Sequence, residues 1–597
     1  MSYAKIQLND MKISRRALIL QICLLCLNIF SLFSCQKNHH GQFEHSDLYP
    51  KNQQIQDGGT LVIGIRAEPE SINPLFALSQ SSRNIIRLVF SRLADINEDL
   101  KGFTPRLAKS WEISTDNSQI TFHLRTNVHW QDGTPFTSKD VVFTYQMHIN
   151  PVVAWDGMAY KQNISSVEAF NDSTVVFSFY ENHRSMLSDA VEGYILPAHI
   201  LQNISPQNLF TSDFNRHPIG TGPFQLNSWI DMQTITLLKN KRFYESGKPH
   251  LDQIIFRIIP DNFNLLNQLK AGEVDLVESI YPKDFQAIIQ NWNHGHSDIR
   301  PISYLGRRYD FIGWNMIDPE SYRNSIDRGE SQDAIKYNIQ PNRLFGSQKV
   351  RAALTMALDR EAIMNTVNFG MAVPMNGPVS PILPSYNEAA NIVWEYNPQK
   401  ALKFLAEQGW TDSDGDNILD KNGIPFKFEI LTESGNLLWE QVATIVQAQL
   451  ADIGIQVTPR FLEPALLYGK LLPAKDFDAV IIGWSVGLTP DFSPLFHSST
   501  FYTPFHFTGY YSREYDRLDE LAKTAANDDM AQKYYDKIAQ LLSNDLPYTW
   551  LYYRMECSAV HGRFKDIIYD RRGLYNNPED WWIPLDERQY IDKVFKK

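Results

Sequence analysis

The segment that most restricts this fold is one that takes no part in it. Lys12, Arg15 and Arg16 precede an apolar run from Ala17 to Phe33, interrupted by Gln21 and Asn28. Its 17 residues fall short of the roughly 20 that a spanning helix needs. A basic stretch followed by such a run has the form of an export signal. Met11 offers a second start for it, because Met1 to Asp10 add nothing a signal requires.

The run closes on Leu32-Phe33-Ser34-Cys35, which resembles a bacterial lipobox. There the signal is cut before the cysteine, whose thiol and new amino group are acylated; Cys35 is therefore the expected lipid-bearing residue. Cys23 and Cys26 sit inside the apolar run, so their C-x-x-C spacing is read as chance. With residues 1–34 removed, 563 residues remain at a formal charge of −15. Only Cys35 and Cys557 are left, and with Cys35 committed to lipid no intramolecular disulfide is available. The fold must rest on its core, for which a chain 43% hydrophobic has ample material. Cys557, between Glu556 and Ser558, is expected to pack as a small hydrophobe. The acidic balance gives phosphate backbones no basic face, which argues against nucleic acid as a partner.

Gln36 to Asp57 is polar, without periodicity, and contains His39, His40 and His45. Read as a solvated tether, it spans about 25 Å as a random coil. No later segment approaches transmembrane length, so the body beyond it is expected to be soluble. The length of the chain suggests three or four domains' worth of mass at about 150 residues each.

From Gly58 onward strand and helix signals alternate, which predicts a mixed α/β fold without internal repeats. Thr60 to Ile65 reads as a strand. Ile120, Phe122 and Leu124, then Val175, Phe177 and Phe179, then Ile235 and Leu237, alternate with polar residues as half-buried strands do. Asp132-Gly133 marks a turn, and Thr137 with Asp140 forms a capping box for the helix carrying Val141, Val142 and Tyr145. Val350, Ala353, Leu354, Ala357 and Leu358 form one apolar helical face, as do Leu438, Val442, Ile445, Val446, Leu450 and Ile453 before Gly454. Asn397-Pro398 opens another helix, which Gly409 ends.

Motifs spread over nearly the whole mature chain then fall in a recognisable order. They are Gly58-Gly59-Thr60-Leu61-Val62-Ile63-Gly64 leading to Asn73-Pro74-Leu75, then Leu107-Ala108-Lys109-Ser110-Trp111-Glu112. Thr121-Phe122-His123-Leu124-Arg125, Trp130, Asp132-Gly133-Thr134-Pro135-Phe136 and Asp140-Val141-Val142-Phe143 follow. After Ile195-Leu196-Pro197-Ala198-His199 and Gly220-Thr221-Gly222-Pro223-Phe224 come Val350-Arg351-Ala352-Ala353-Leu354 with Asp359-Arg360. Last are Asp476-Phe477-Asp478, Gly483-Trp484, Gly509-Tyr510-Tyr511-Ser512 and Tyr515-Asp516. In this pattern the chain resembles the extracellular solute-binding proteins of the peptide, dipeptide and nickel importers. That resemblance implies a three-lobed, periplasmic-binding-protein-like fold with a ligand cleft between two lobes. The first lobe would comprise residues 58–92, 216–305 and 553–597, the second 93–215 and the third 306–552. Residues 317–347 form a longer, charged link than the pattern usually has and are expected to be a surface insertion.

The same resemblance implies a receptor that closes on its ligand and hands it to an ABC permease and ATPase, as a monomer held to the membrane by its lipid. It needs no cofactor and no catalytic residue, and no H-E-x-x-H or phosphate-cradling glycine loop is present. Peptide-binding members pair the ligand backbone, as an added strand, with the segment corresponding to Gly483-Trp484-Ser485. Leu78 and Gln80 would face it from the first lobe, and Trp155 and Tyr160 would contribute from the second. One departure matters: where peptide binders carry the Asp that pairs with the ligand's free amino terminus, this chain has Gly487, and Asp491 is the nearest later carboxylate. A peptide-like ligand is expected, with an oligosaccharide or metal chelate as the alternative within the family and a lipid-anchored hydrolase outside it. Asp412, Asp414, Asp416 and Asp420 imitate a calcium loop, but Asn417 and Gly423 occupy positions that an EF-hand gives to Gly and Glu, so a solvated loop is expected.

Overall fold

The computed structural model describes residues 55–589, apart from residues 488, 489 and 526 and the side chains at 332 and 337. The lipobox, Cys35 and the tether up to residue 54 lie outside the described residues. Among the described residues no helix is long and apolar enough to cross a membrane.

Thr60–Ile65 forms the first strand, β1, buried at every position. Gln80–Val89 (α1) follows, its N-terminus capped by the Ser79 side chain, which accepts from the Ser82 N–H. A four-stranded antiparallel sheet comes next, from Ala108–Ile113 (β2), Gln119–Leu124 (β3), Ile164–Asn171 (β4) and Thr174–Phe179 (β5), in the order β2-β3-β5-β4. Ile120, Phe122 and Leu124 on β3 and Val175, Phe177 and Phe179 on β5 face one core, as the period of two predicts. The helix α2, Ser138–His148, covers that sheet. The Asp140 carboxylate accepts from the Thr137 N–H at 2.9 Å, one half of the expected capping box, and from the Ala198 N–H at 3.0 Å. Asp140 thereby ties the helix start to the Pro197-Ala198-His199 motif.

The rest of the chain builds one large sheet. Its further strands are Phe224–Ile230 (β6), Thr234–Lys239 (β7), Gln253–Ile258 (β8), Leu276–Val277 (β9), Ile299–Trp314 (β10), Lys427–Glu433 (β11), Gln456–Leu462 (β12), Ala479–Ser485 (β13) and Tyr548–His561 (β14). Their order is β12-β11-β13-β10-β14-β9-β1-β8-β7-β6, with Ala372–Pro374 pairing on β14. The long antiparallel pair β10 and β14 runs through the middle and joins both halves. The ladder shifts register twice, between Asp310 and Phe311 and, more widely, where Leu305 pairs with Met555 and Tyr309 with Tyr553, so that Gly306, Arg307 and Arg308 stand opposite Arg554 alone. Such a bulge bends a strand and re-aims its side chains.

Several motif residues have plain structural work. The Val350 helix, Gln348–Ala357 (α3), ends one residue before the apolar Leu358, because Asp359 turns out to cap the next helix, Arg360–Asn368 (α4), by accepting from the Ala362 N–H at 2.8 Å. Arg360 then donates to the carbonyls of Met375, Trp550 and Trp394. Asn397 caps Pro398–Glu407 (α5) and Gly409 follows at φ 85°, both as expected. The helix Leu437–Ala451 (α6) packs on β12 and ends near Gly454 at φ 78°. Residues 317–347 hold two short helices, Pro319–Asp327 and Gln332–Asn338, around a small core of Ile317, Tyr322, Ile335 and Phe501. Cys557 is free and buried, and burial pushes its thiol up to about 12, so it packs as an apolar side chain.

Candidate functional site

A cleft of about 480 Å³ opens beside α1. Residues at i, i+3, i+4 and i+7 share a helical face, and Gln80, Arg83, Asn84 and Arg87 all line the cleft, while Ile85, Leu88 and Val89 are buried behind. The end of α1 is held by the Gly220-Thr221-Gly222 motif: the Gly222 N–H donates to the Val89 carbonyl at 2.8 Å, and a Cβ at Gly220 would overlap that same oxygen. Only glycine lets the two segments approach this closely.

Trp155 and Tyr160 form part of the opposite wall. The Trp155 ring stacks on His148 at 3.7 Å, and Gly157 and Gly193 leave it room. Burial, with Lys161 nearby, holds His148 well below its ordinary value, so it packs as a neutral ring. Burial likewise lowers the Lys161 ammonium to about 8, and it donates to the carbonyls of Asp189 (2.5 Å) and Glu192 (2.7 Å), fixing the loop that carries Glu192 into the cleft. Burial and then the charges of Glu192 and Asp491 push the Tyr160 hydroxyl up, while Arg307 works against them.

The floor is an ion cluster. Arg106 reaches Asp95 at 2.7 Å, Glu579 at 2.9 Å and Glu245 at 3.3 Å. Burial alone would raise the Asp95 carboxyl, but Arg106, Arg92 and Arg87 together hold it below its usual range. Arg92 pairs with Glu192 at 3.2 Å, and Arg83 crosses to Asp156 at 3.1 Å. Behind the wall, Glu278 accepts from the Tyr575 hydroxyl at 2.5 Å and from Asn84 at 3.1 Å, and burial pushes its carboxyl up to about 7.

Of the residues expected at the site, Gln80, Trp155 and Tyr160 come together on the cleft, and Gly487 joins them. Leu78 is 71% exposed and is not on the cleft lining; its N–H caps the Glu70 carboxylate. Gly483, Trp484 and Ser485 end β13, paired with Asp310, Tyr309 and Arg308. Gly483 lacks a side chain because a Cβ would meet the Asp310 carboxylate, which is ion-paired with Arg554 at 2.7 Å. Trp484 packs among Phe311, Phe505 and Phe507, with ring centroids about 6 Å apart, outside the cleft lining. Asp491 accepts from Ser493 and stands 3.6 Å from Lys523. Sequence reasoning passed over Arg83, Arg87, Arg92, Arg106 and Arg307. Two signals pointed to some of them: the like charges Arg83 and Arg87 at i, i+4, which repel on a helix, and the Arg307-Arg308 doublet inside an apolar strand.

Asp412, Asp414 and Asp420 bring oxygens within 4.8 Å of one another, without Asp416. Ser413 already donates to Asp420 and lowers its pKa, and Asp412 accepts from the N–H groups of Gly415 and Asn417, the pattern of a self-capped surface loop.

This geometry has close counterparts. Residues 102–505 match the bacterial extracellular solute-binding proteins, family 5 middle region. The oligopeptide-binding protein AppA of Bacillus subtilis (strain 168) is 32% identical over 579 residues, covering 96% of this chain and 100% of that one. Its structure, in complex with a nonapeptide, superposes with a TM-score of 0.71 over 89% of this chain and 100% of the other. NikZ from Campylobacter jejuni, in complex with Ni(L-His), is 26% identical and gives 0.69 over 88% of this chain and 99% of its own. In motif order, sheet architecture and length, the chain belongs to the bacterial extracellular solute-binding proteins, family 5.

Proposed function

We propose that this extracytoplasmic solute-binding protein captures a peptide-like ligand by closing two lobes on it and passes it to an ABC permease, while an acylated Cys35 holds it to the membrane. The family is one of receptors, so the solute leaves unchanged and no catalytic group is called for. The observation that carries the reading is the cleft itself: three separate stretches, around Gln80–Arg87, Trp155–Tyr160 and Gly487, wall one space of about 480 Å³. That volume lies within the range of small-ligand sites, about 300–1,000 Å³.

The lobe boundaries 58–92 with 216–305 and 553–597, 93–215, and 306–552 belong to this proposal. One hydrophobic core, drawn from Leu93 to Ile195 with Tyr244 as its sole buried outsider, supports them, whereas Val153, Trp155, Leu196, Leu201, Leu209 and Phe214 of the proposed second lobe pack into the core of the first. The cut between the first and third lobes then falls at the bulge of β10 rather than in a linker, which makes those two a stiff unit and leaves the second lobe to move.

A chelated metal is the second reading, favoured by Gly487 in place of a carboxylate and by the likeness to NikZ. Thermal-shift measurements against peptides of two to nine residues, oligosaccharides and nickel–histidine decide the class. A specific ligand at a hundredfold excess over its Kd adds about 2.7 kcal/mol of stability. Peptides are expected to give that shift; a shift with nickel–histidine alone would replace the peptide reading, and turnover of any probe would remove the receptor reading. Mass spectrometry of the membrane-extracted protein should find a diacyl- or triacyl-cysteine at Cys35.

A further inference from the structure

Among the described residues, six arginines line the cleft (Arg83, Arg87, Arg92, Arg106, Arg307 and Arg572) against four carboxylates, with no lysine or histidine. The carboxylates are all engaged. Asp95 and Glu579 hold Arg106, Glu192 holds Arg92, and Asp156 holds Arg83. Arg572 is paired outside the lining, with Asp570 at 2.6 Å. Two guanidiniums remain. Arg87 donates to the carbonyl of Arg572 at 3.3 Å and has no acidic partner among the described residues. Arg307 is exposed into the cleft, with no acceptor for its guanidinium among them.

The backbone aims Arg307 there. It is the middle residue of the three that stand opposite Arg554, and its carbonyl accepts from the Val486 N–H at 2.8 Å, which sets it beside Gly487. Enclosure by the walls, then the charges of Arg87 and Arg83, hold the Arg307 guanidinium below its ordinary value. Glu192 opposes this without making contact, and an anion would relieve the repulsion that remains. Planar guanidiniums match a carboxylate in bidentate geometry.

We propose that Arg87 and Arg307 together receive a carboxylate of the ligand, so that the protein selects anionic peptides through this pair instead of anchoring a free amino terminus. The inference rests on the peptide reading above. The carboxylate has two sources, an acidic side chain or the peptide's own C-terminus, and either satisfies the same pair.

The test is calorimetric titration with alanine-based pentapeptides carrying a central Glu, Gln or Lys, each with a free and an amidated C-terminus. Peptides bearing a carboxylate should bind at least roughly tenfold more tightly than the neutral amide, the value of a charge-assisted hydrogen bond. Preference for the Glu amide assigns the acidic side chain; preference for the free-acid Gln peptide assigns the C-terminus. Arg87→Gln and Arg307→Gln should each abolish that preference, with Arg307→Lys restoring part of it. The ligand-free melting temperature of Arg307→Gln should stay level or rise, which separates a lost receptor from a damaged fold. Peptides that bind with no regard to charge, or a preference that survives both substitutions, overturn the proposal and leave the peptide reading standing. A panel in which no peptide binds overturns both.

Discussion

Glu278 shows how a single residue can carry a pH dependence. Its carboxyl is pushed up to about 7 from an ordinary 4.5, chiefly by burial, with Glu556 adding repulsion and the Tyr575 hydroxyl opposing. The folded protein therefore holds a proton that the unfolded chain releases, so stability falls as pH rises from about 4.5 to about 7 and is level above. The effect amounts to about 3 kcal/mol across that window. Glu278→Gln keeps an acceptor for Tyr575 and cannot ionise. Urea unfolding at pH 5 and pH 8 should show the wild-type difference shrink in this variant, with the gain at pH 8. An undiminished difference would assign the slope to other groups. The same scale marks the limit of the sequence. The expectation that Cys557 packs as a small hydrophobe could be read from its neighbours and the lack of a partner. The uncommitted state of Arg87 and Arg307 could not, because it depends on which carboxylates the fold spends on other arginines.

At the scale of elements, alternation carried most of the reading. Ile120 to Leu124 and Val175 to Phe179 announce strands because one face of their sheet is buried and the other is not. Asn397 and Gly409 announce helix ends because each supplies a bond or a backbone angle that few residues can. The apolar period misled at Leu358, which continues the α3 pattern but leaves the helix, since the Asp359 cap of α4 needs extended backbone before it. The long pairing of β10 with β14 was illegible for a different reason: its partners lie about 240 residues apart, and nothing local encodes the register. The Gly220-Thr221-Gly222 motif, visible only as a motif, acquires a cause in the end of α1. Gly220→Ala must push the Val89 carbonyl or its own loop aside, and overpacking of this kind costs about 1–3 kcal/mol. Its urea midpoint should fall accordingly, and ligand affinity with it, because Arg83 and Arg87 ride on α1. An unchanged midpoint would mean that the loop yields freely and that α1 does not depend on it.

For the whole molecule, the question is what holds the proposed second lobe against the other two. Arg83 with Asp156, and Arg106 with Glu245 and Glu579, tie it to the first, and a tie to the third lies elsewhere. Arg184, in the proposed second lobe, pairs with Asp528 and also donates to the Asn527 carbonyl at the start of the helix Asp528–Asp545 in the third. The pair is exposed, so it contributes only about 0.2–1 kcal/mol. If closure brings the two residues together, that small energy acts on the closed state alone, and a ligand that selects the closed state inherits it. Arg184→Gln and Asp528→Asn should then each weaken peptide binding by up to about fivefold. The double variant should lose no more than either single one, because the second substitution removes a partner already without its mate. The loss should appear in the dissociation rate, since the open form that first meets the ligand lacks the contact, and it should shrink in high salt. Additive losses would show two independent surface effects. A full-sized loss that ignores salt would place the energy in packing around Tyr535, whose hydroxyl burial has pushed up to about 12.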